Sequence, residues 1–294
     1  MQEKIKVLVV VGPTAVGKSA FGLELAQRFG GEVISGDSQQ VYKGLDIGTA
    51  KVRPEEMLGV PHHLLDIREL TESFSAHDFV KLAETEIRAI ASRGKLPIIV
   101  GGTGLYIQSL VEGYHLGGEA NHPQMLALRA ELSALTDDDL RARVKLPEFN
   151  RRRAIRILEL EAYGSGENRP SAAFDFLILG LSAPRELLYA RINSRVDQML
   201  ANGLLTEARL LFENYPDSQA VKAIGYKELF PYLAGELDLA EAIDLIKRHS
   251  RHYAKRQLTW FRNRMAVDFC DVSSAIFPEN AIIRVEEFLN DRTG

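Results

Sequence analysis

The segment Gly12-Pro13-Thr14-Ala15-Val16-Gly17-Lys18-Ser19 fits the pattern GxxxxGK(S/T), and it narrows the fold more than any other stretch of the chain. A β-branched run, Lys6 to Val11, precedes it. After it, Phe21, Leu25 and Phe29 recur at helical spacing until Gly30 and Gly31 end the pattern. Strand, glycine loop and helix in that order are the context in which such an octapeptide cradles phosphate. Glycine lets backbone N–H groups curl round phosphate oxygens, and the helix start adds partial positive charge. Lys18 adds a full charge, and the Ser19 hydroxyl can hold Mg²⁺. Gly12, Pro13, Thr14, Ala15, Val16, Gly17, Lys18 and Ser19 are therefore expected to bind a di- or triphosphate. The loop alone identifies neither the phosphate compound nor the bond that breaks.

The same alternation continues along the chain. Glu32 to Ser35, His63 to Ile67 and Ile98 to Val100 read as buried strands and Ala76 to Arg93 as a helix, which predicts a parallel α/β sheet flanked by helices. Between about Gly113 and Pro147 the strand signal disappears, and two short polar helical patterns remain, Gln124 to Leu135 and Asp137 to Val144. We read 114–147 as a small helical insertion, and 1–113 with 148–294 as a P-loop core ending in a helix-rich part. In that part a helix is expected over Arg151 to Tyr163, a strand over Phe176 to Leu181, mostly helix to Arg264, then a short strand and a last helix.

Asp37 follows the second strand, at the carboxyl edge where open α/β sheets bind ligands. A Mg²⁺ ligand, a general base and a solvated turn aspartate all remain open for it. Thr103, after the third strand in Val100-Gly101-Gly102-Thr103-Gly104, suits an N-cap, a role compatible with substrate contact. The glycine pair is read as leaving room for a ligand. His62 and His63 are adjacent on a strand, point to opposite faces and have no third partner nearby, so zinc is not expected.

The chain is 46% hydrophobic over 294 residues, enough for a sizeable core, and its formal net charge is -4. A polyanion site must therefore be a local cluster. Two clusters exist. Lys247 to Arg264 carries seven Lys or Arg and no acid, and Lys247, Arg251 and Lys255 share one helical row. Arg151, Arg152, Arg153 and Arg156 form the second. Either is a solvated face when taken alone; flanking a phosphate site, the pair points to RNA. Cys270 is the single cysteine, which excludes an internal disulfide and fits a reducing cytoplasm. No stretch approaches the ~20 apolar residues of a membrane span, so no membrane partner is expected.

Together these segments closely resemble the bacterial tRNA dimethylallyltransferases. The resemblance covers most of the chain, in the family's order: GPTAVGKS, ISGDSQQVYKGLDIGTAK, VPHHLLD, PIIVGGTGLYIQSLVEG, NRRRAIRILEL, RINSRVDQMLANGLL, AVKAIGYKE and YAKRQLTWFR. It implies that the loop holds the diphosphate of dimethylallyl diphosphate with Mg²⁺ on Ser19. It also implies that Lys18, Asp37 and Thr103 are catalytic, with Asp37 the general base and Thr103 on the target adenine. Asp37, Ser38, Gln39, Gln40, Thr103, Arg152, Arg153 and Arg156 would then touch the tRNA anticodon stem-loop, together with Arg251 and Lys255 of the basic helix. A monomer is expected.

The chain departs from the family pattern in two places. Gln39 stands where the family usually has arginine. The insertion is short, and a family arginine in its first helix would align near Leu126, with Arg129 the nearest substitute. A small-metabolite or nucleotide kinase is the competing function. It shares the P-loop and leaves the basic helix unexplained.

Overall fold

The computed structural model describes residues 4–114, 123–163 and 171–291. Its elements in order are β1 (Ile5–Val11), α1 (Lys18–Phe29), β2 (Gly31–Ser35), β3 (His62–His63), α2 (Ala76–Ser92), β4 (Leu96–Gly101) and α3 (Gly104–Glu112). The helices α4 (Pro123–Ala134), α5 (Asp137–Arg143) and α6 (Arg151–Tyr163) follow. The chain then runs through β5 (Phe174–Ser182), α7 (Arg185–Ala201), α8 (Leu204–Asn214), α9 (Phe230–Leu233), α10 (Leu239–Met265), β6 (Phe269–Asp271) and α11 (Glu279–Asn290).

The strands form one six-stranded sheet in the order β3-β2-β4-β1-β5-β6, and every pairing is parallel. Apolar residues on both faces of β1 explain its central place. Val7, Val9 and Val11 pack into one core cluster, Leu8 and Val10 into the other, and all five are fully buried. The expected fold is thus the observed one, with one local correction. The strand read over His63 to Ile67 stops at His63, because Leu64 (φ 61°) and Asp66 (φ 54°) turn into the left-handed region. His63 is held between Glu32 at 2.7 Å and Glu86 at 3.1 Å, and Arg93 reaches the same Glu32 at 2.7 Å. The guanidinium, ahead of the imidazole, keeps the Glu32 carboxyl below its usual pKa against the opposing effect of burial.

Part of the expected insertion, 115–122, lies outside the described residues. Among the described ones, α4, α5 and α6 pack together. Leu140, Val144 and Ala154 form a small buried cluster with Leu146, Phe149 and Leu158 against it. Glu159 is buried, with its side chain 1% exposed, and takes both Arg129 (2.6 Å) and Arg156 (2.9 Å). Removing either arginine would leave a buried carboxylate half-compensated. The apolar face of α6 packs against α4 and α5.

Candidate active site

Because β1, β2 and β4 are parallel neighbours, the loops that leave their carboxyl ends converge on one edge of the sheet. From β1 comes the phosphate loop. Gly12 (φ 150°) and Gly17 (φ 106°) adopt backbone angles that side chains oppose, and a Cβ on Gly12 would stand 2.5 Å from the Leu181 carbonyl oxygen. No side chain caps α1 at Gly17, so its first N–H groups face the loop's concavity. Lys18 lies across the loop and donates to the Pro13 carbonyl at 2.8 Å. Burial pushes its amine down to about 8; Asp37 pulls the other way, and Arg195 adds a smaller repulsion. Ser19 is exposed at the second position of α1.

From β2 comes Asp37. Its Oδ1 accepts the Gln39 N–H at 2.8 Å, so the turn role left open by the sequence is real, and the same residue lines the cavity described below. From β4 comes Thr103. It occupies the N-cap position of α3 but makes no cap hydrogen bond; its hydroxyl accepts the Ser38 N–H at 3.1 Å instead. The capping role expected of this side chain is not the one it plays. The glycine pair also differs from expectation. A Cβ on Gly101 would lie 2.3 Å from the Gly36 carbonyl oxygen, and one on Gly102 would lie 2.2 Å from Gln257 Nε2. Protein atoms, not a ligand, take the room these glycines leave.

A cavity of about 260 Å³ opens between these loops and the C-terminal helices. Thr14, Asp37, Ser38, Gln39, Arg195 and Tyr253 give it a polar wall, and Ile192, Val196, Met199, Ile224 and Ile246 an apolar one. Arg195 of α7 contacts the Thr14 hydroxyl at 3.3 Å, and burial lowers its pKa while Asp37 opposes the shift. Sequence reading missed this arginine and Gln257. Both sit in helices, and nothing local marks which side chains turn toward a loop some 180 to 240 residues earlier.

The four residues Asp37, Ser38, Gln39 and Gln40 divide. Gln39 lines the cavity. Gln40 points elsewhere: its Oε1 accepts Ser35 Oγ at 2.9 Å and its Nε2 donates to the carbonyls of Thr49 and Ala50 at 3.2 and 3.3 Å. That amide pins the loop's own backbone and is spent before any RNA arrives. Downstream, Glu207 of α8 accepts the N–H groups of Asp46, Ile47 and Gly48 at 2.9 to 3.0 Å and the Tyr226 hydroxyl at 2.8 Å, which fixes the loop from beneath.

The basic residues divide as well. Lys247 pairs with Asp197 at 2.6 Å, and Arg251 donates to Asn193 at 2.7 Å, so two members of the expected row are committed to α7. Arg248, His252, Lys255 and Arg256 remain exposed on α10. On α6, Arg152 and Arg153 are exposed and Arg156 joins Glu159. Arg129, the nearest substitute for a family arginine, is drawn to the same carboxylate, and Leu126 is 45% exposed.

Comparison with known proteins gives one answer. Residues 40–264 match the family model described as IPP transferase. A tRNA dimethylallyltransferase of Lactococcus lactis is 60% identical over 290 residues, covering 97% of this chain and 99% of that protein. The crystal structure of a tRNA isopentenylpyrophosphate transferase from Bacillus halodurans superposes with a TM-score of 0.74 at 44% identity, covering 97% of this chain and 96% of that one. A eukaryotic dimethylallyltransferase acting on tRNA gives a TM-score of 0.80 at 31% identity, covering 97% of this chain and 80% of that one.

Proposed function

From the premise that this chain belongs to the IPP transferase family, we propose how its residues move a dimethylallyl group from dimethylallyl diphosphate to an adenosine beside a tRNA anticodon. The acceptor is the exocyclic amine of the adenosine on the 3′ side of the anticodon, and the product is isopentenyladenosine. One observation carries this reading. Asp37 and Thr14 line a single cavity, Thr103 contacts Ser38 in its wall, and an apolar surface closes the far side.

The amine is a weak nucleophile because its lone pair is delocalised into the ring, whereas the allylic C–O bond ionises easily. The site's work is thus to manage charge. Amides of the loop from Gly12 to Ser19, Lys18 and Arg195 stabilise the negative charge that grows on the departing diphosphate. As the C–N bond forms and the C–O bond breaks, Asp37 takes the proton of the amine. Thr103 meets the adenine, and the apolar wall keeps water from the developing allyl cation.

Mg²⁺ would sit beside the diphosphate. It retains several waters and takes few protein ligands beside substrate phosphates, and the exposed Ser19 hydroxyl would be one of them. Bound there, the ion would neutralise charge on the diphosphate. The target base leaves the stack of its loop to reach the cavity, which costs a few kcal/mol and least in a single strand. Ser38, Gln39, the exposed Arg152 and Arg153, and Lys255 of α10 supply the anticodon-loop contacts. Arg156 and Arg251 contribute from positions already braced by Glu159 and Asn193. Gln40, whose amide already bonds Ser35, Thr49 and Ala50, acts by holding the loop that carries Ser38 and Gln39 against the RNA. The helices α4, α5 and α6 form one unit near the anticodon stem-loop, so the appendage extends past 147 to the end of α6. The working unit is a monomer in a reducing cytoplasm, and none of the described helices is long and apolar enough to cross a membrane.

Incubation with tRNA and either allyl-labelled dimethylallyl diphosphate or γ-labelled ATP tests the reading. Label should reach tRNA from the allyl donor alone. Phosphorylated RNA, or a phosphorylated small acceptor, would overturn it in favour of a kinase.

A further inference from the structure

Gln257 is a polar side chain in the interior, 5% exposed, on the helix whose opposite side carries the exposed cations. Both ends of its amide are used, and on different loops. Oε1 accepts the Thr14 N–H of the phosphate loop at 2.8 Å, and Nε2 donates to the Gly102 carbonyl, beside Thr103, at 2.9 Å. The orientation of the amide is not arbitrary, because a backbone N–H can only donate and a carbonyl can only accept. Gly102 is small for this reason, since a Cβ there would meet the same Nε2 at 2.2 Å.

Neighbouring residues on that face of α10 rest on the same turn. Tyr253, one helical turn earlier, faces the side chains of Thr103 and Gln257, and the Trp260 ring fills the space a Cβ on Gly104 would need. The strands beneath, β1 and β4, are in register only as far as Val11 and Gly101. Beyond those residues, the separation of the two loops depends on what spans them.

We propose that Gln257 is a positioning residue for the transfer reaction, setting the distance between the loop that holds the donor diphosphate and the loop that meets the acceptor base. The inference rests on the function proposed above. A single amide that satisfies one donor and one acceptor fixes a separation, whereas two independent side chains would let the loops drift. Transfer between two bound substrates is sensitive to such drift, because displacements of about 1 Å can cost on the order of 10²-fold. The effect therefore belongs in kcat and not in the affinity for either substrate.

Gln257→Glu and Gln257→Leu together test it. A carboxylate still accepts from Thr14 but repels the Gly102 carbonyl; when protonated, it is nearly isosteric with the amide and donates again. We expect kcat of Gln257→Glu at pH 8 to fall about 10- to 100-fold, a loss of the size that small misplacements cause. The ratio to wild type should recover as pH is lowered toward 6, while KM for dimethylallyl diphosphate and for tRNA stays within a few-fold. Gln257→Leu should show a similar loss and a ratio that does not change with pH. An unchanged kcat for Gln257→Glu, or a loss confined to KM, would overturn the proposal. The glutamate variant decides even if the leucine variant fails to fold. Wild-type protein that labels no tRNA would instead defeat the function on which the proposal rests.

Discussion

The Thr103 hydroxyl accepts the Ser38 N–H at 3.1 Å, and this hydrogen bond ties the turn after β4 to the turn after β2. Because the side chain is engaged there and not on α3, its two possible roles separate experimentally. Thr103→Val keeps the shape and removes the acceptor. A lost N-cap would cost about 1 kcal/mol of stability. Loss of the Ser38 hydrogen bond costs a similar amount, so stability does not separate the roles and kcat does: it should fall at least about tenfold for tRNA prenylation. Destabilisation with unchanged kcat would leave Thr103 a structural role alone.

Lys18 gives a pH signature. Its amine, pushed down to about 8 by burial, is charged below that pH and neutral above it in the ligand-free protein. The diphosphate needs the charged form, so kcat/KM for the donor should be level below about pH 8 and decline above it. The sign for stability is opposite. The unfolded chain holds this proton up to its ordinary pKa of 10.5, so this group's contribution to stability rises with pH from about 8 toward 10.5. Lys18→Arg, charged throughout, should abolish the high-pH limb of the profile, and Lys18→Ala should abolish turnover. A limb that persists in the arginine variant would assign the titration to another group.

Asp37→Asn preserves size and the hydrogen bond from Gln39 while removing the ability to take a proton. We expect kcat to fall by roughly 10² to 10⁴ with tRNA and Mg²⁺-diphosphate affinities within a few-fold. A titration of activity against Mg²⁺ at saturating tRNA checks the role. Rescue at high Mg²⁺ would identify a metal ligand, and unchanged activity a turn residue only.

On α10, Lys255 is exposed whereas Arg251 already donates to Asn193 at 2.7 Å. The double variant Arg251→Ala with Lys255→Ala should weaken tRNA binding and flatten its salt dependence, with donor binding spared. Each lost phosphate contact should reduce the slope of log K against log salt by about 0.7 to 0.9. Filter binding across a salt series measures it, and Lys255→Ala alone should account for the larger share. An unchanged slope would make these residues a solvated face.

Glu207 should act on stability and, through the loop it supports, on the site. Its removal in Glu207→Ala strands three backbone N–H groups and the buried Tyr226 hydroxyl, a loss of about 2–4 kcal/mol readable in chemical denaturation. Gln39 and Thr49 line the cavity on the loop this carboxylate holds, so KM for tRNA should rise as well.

The parts of this molecule legible in its sequence are those encoded by local pattern. The β-branched run of β1, the glycines of the phosphate loop, the helical spacing of α1 and α6 and the alternation that builds a parallel sheet each show within a few neighbouring residues. Asp37 and Thr103 were legible as candidates because chain order places them after strands. What was hidden is long-range. Gln257 reads as one more polar residue in a basic helix until Thr14 appears beside it, and Arg195 reads as a surface charge on α7. Gln40 shows the same limit in reverse, since only the fold reveals that its amide is consumed by Ser35, Thr49 and Ala50. The left-handed turn at Leu64 was equally invisible, because leucine gives no sign of adopting a conformation that glycine would adopt more easily.

The close approach of Gly101 to Gly36 bears on how a deep mutational library of this protein would read. Any side chain at position 101 would wedge apart the two turns that carry Asp37 and Thr103, so nearly every substitution should drop out of a growth selection for modified tRNA. Gly101 nevertheless belongs to strand β4 and its neighbour is backbone. A map drawn from intolerant positions alone would extend the binding site one layer into the sheet, and an inhibitor designed toward that layer would find no space to occupy.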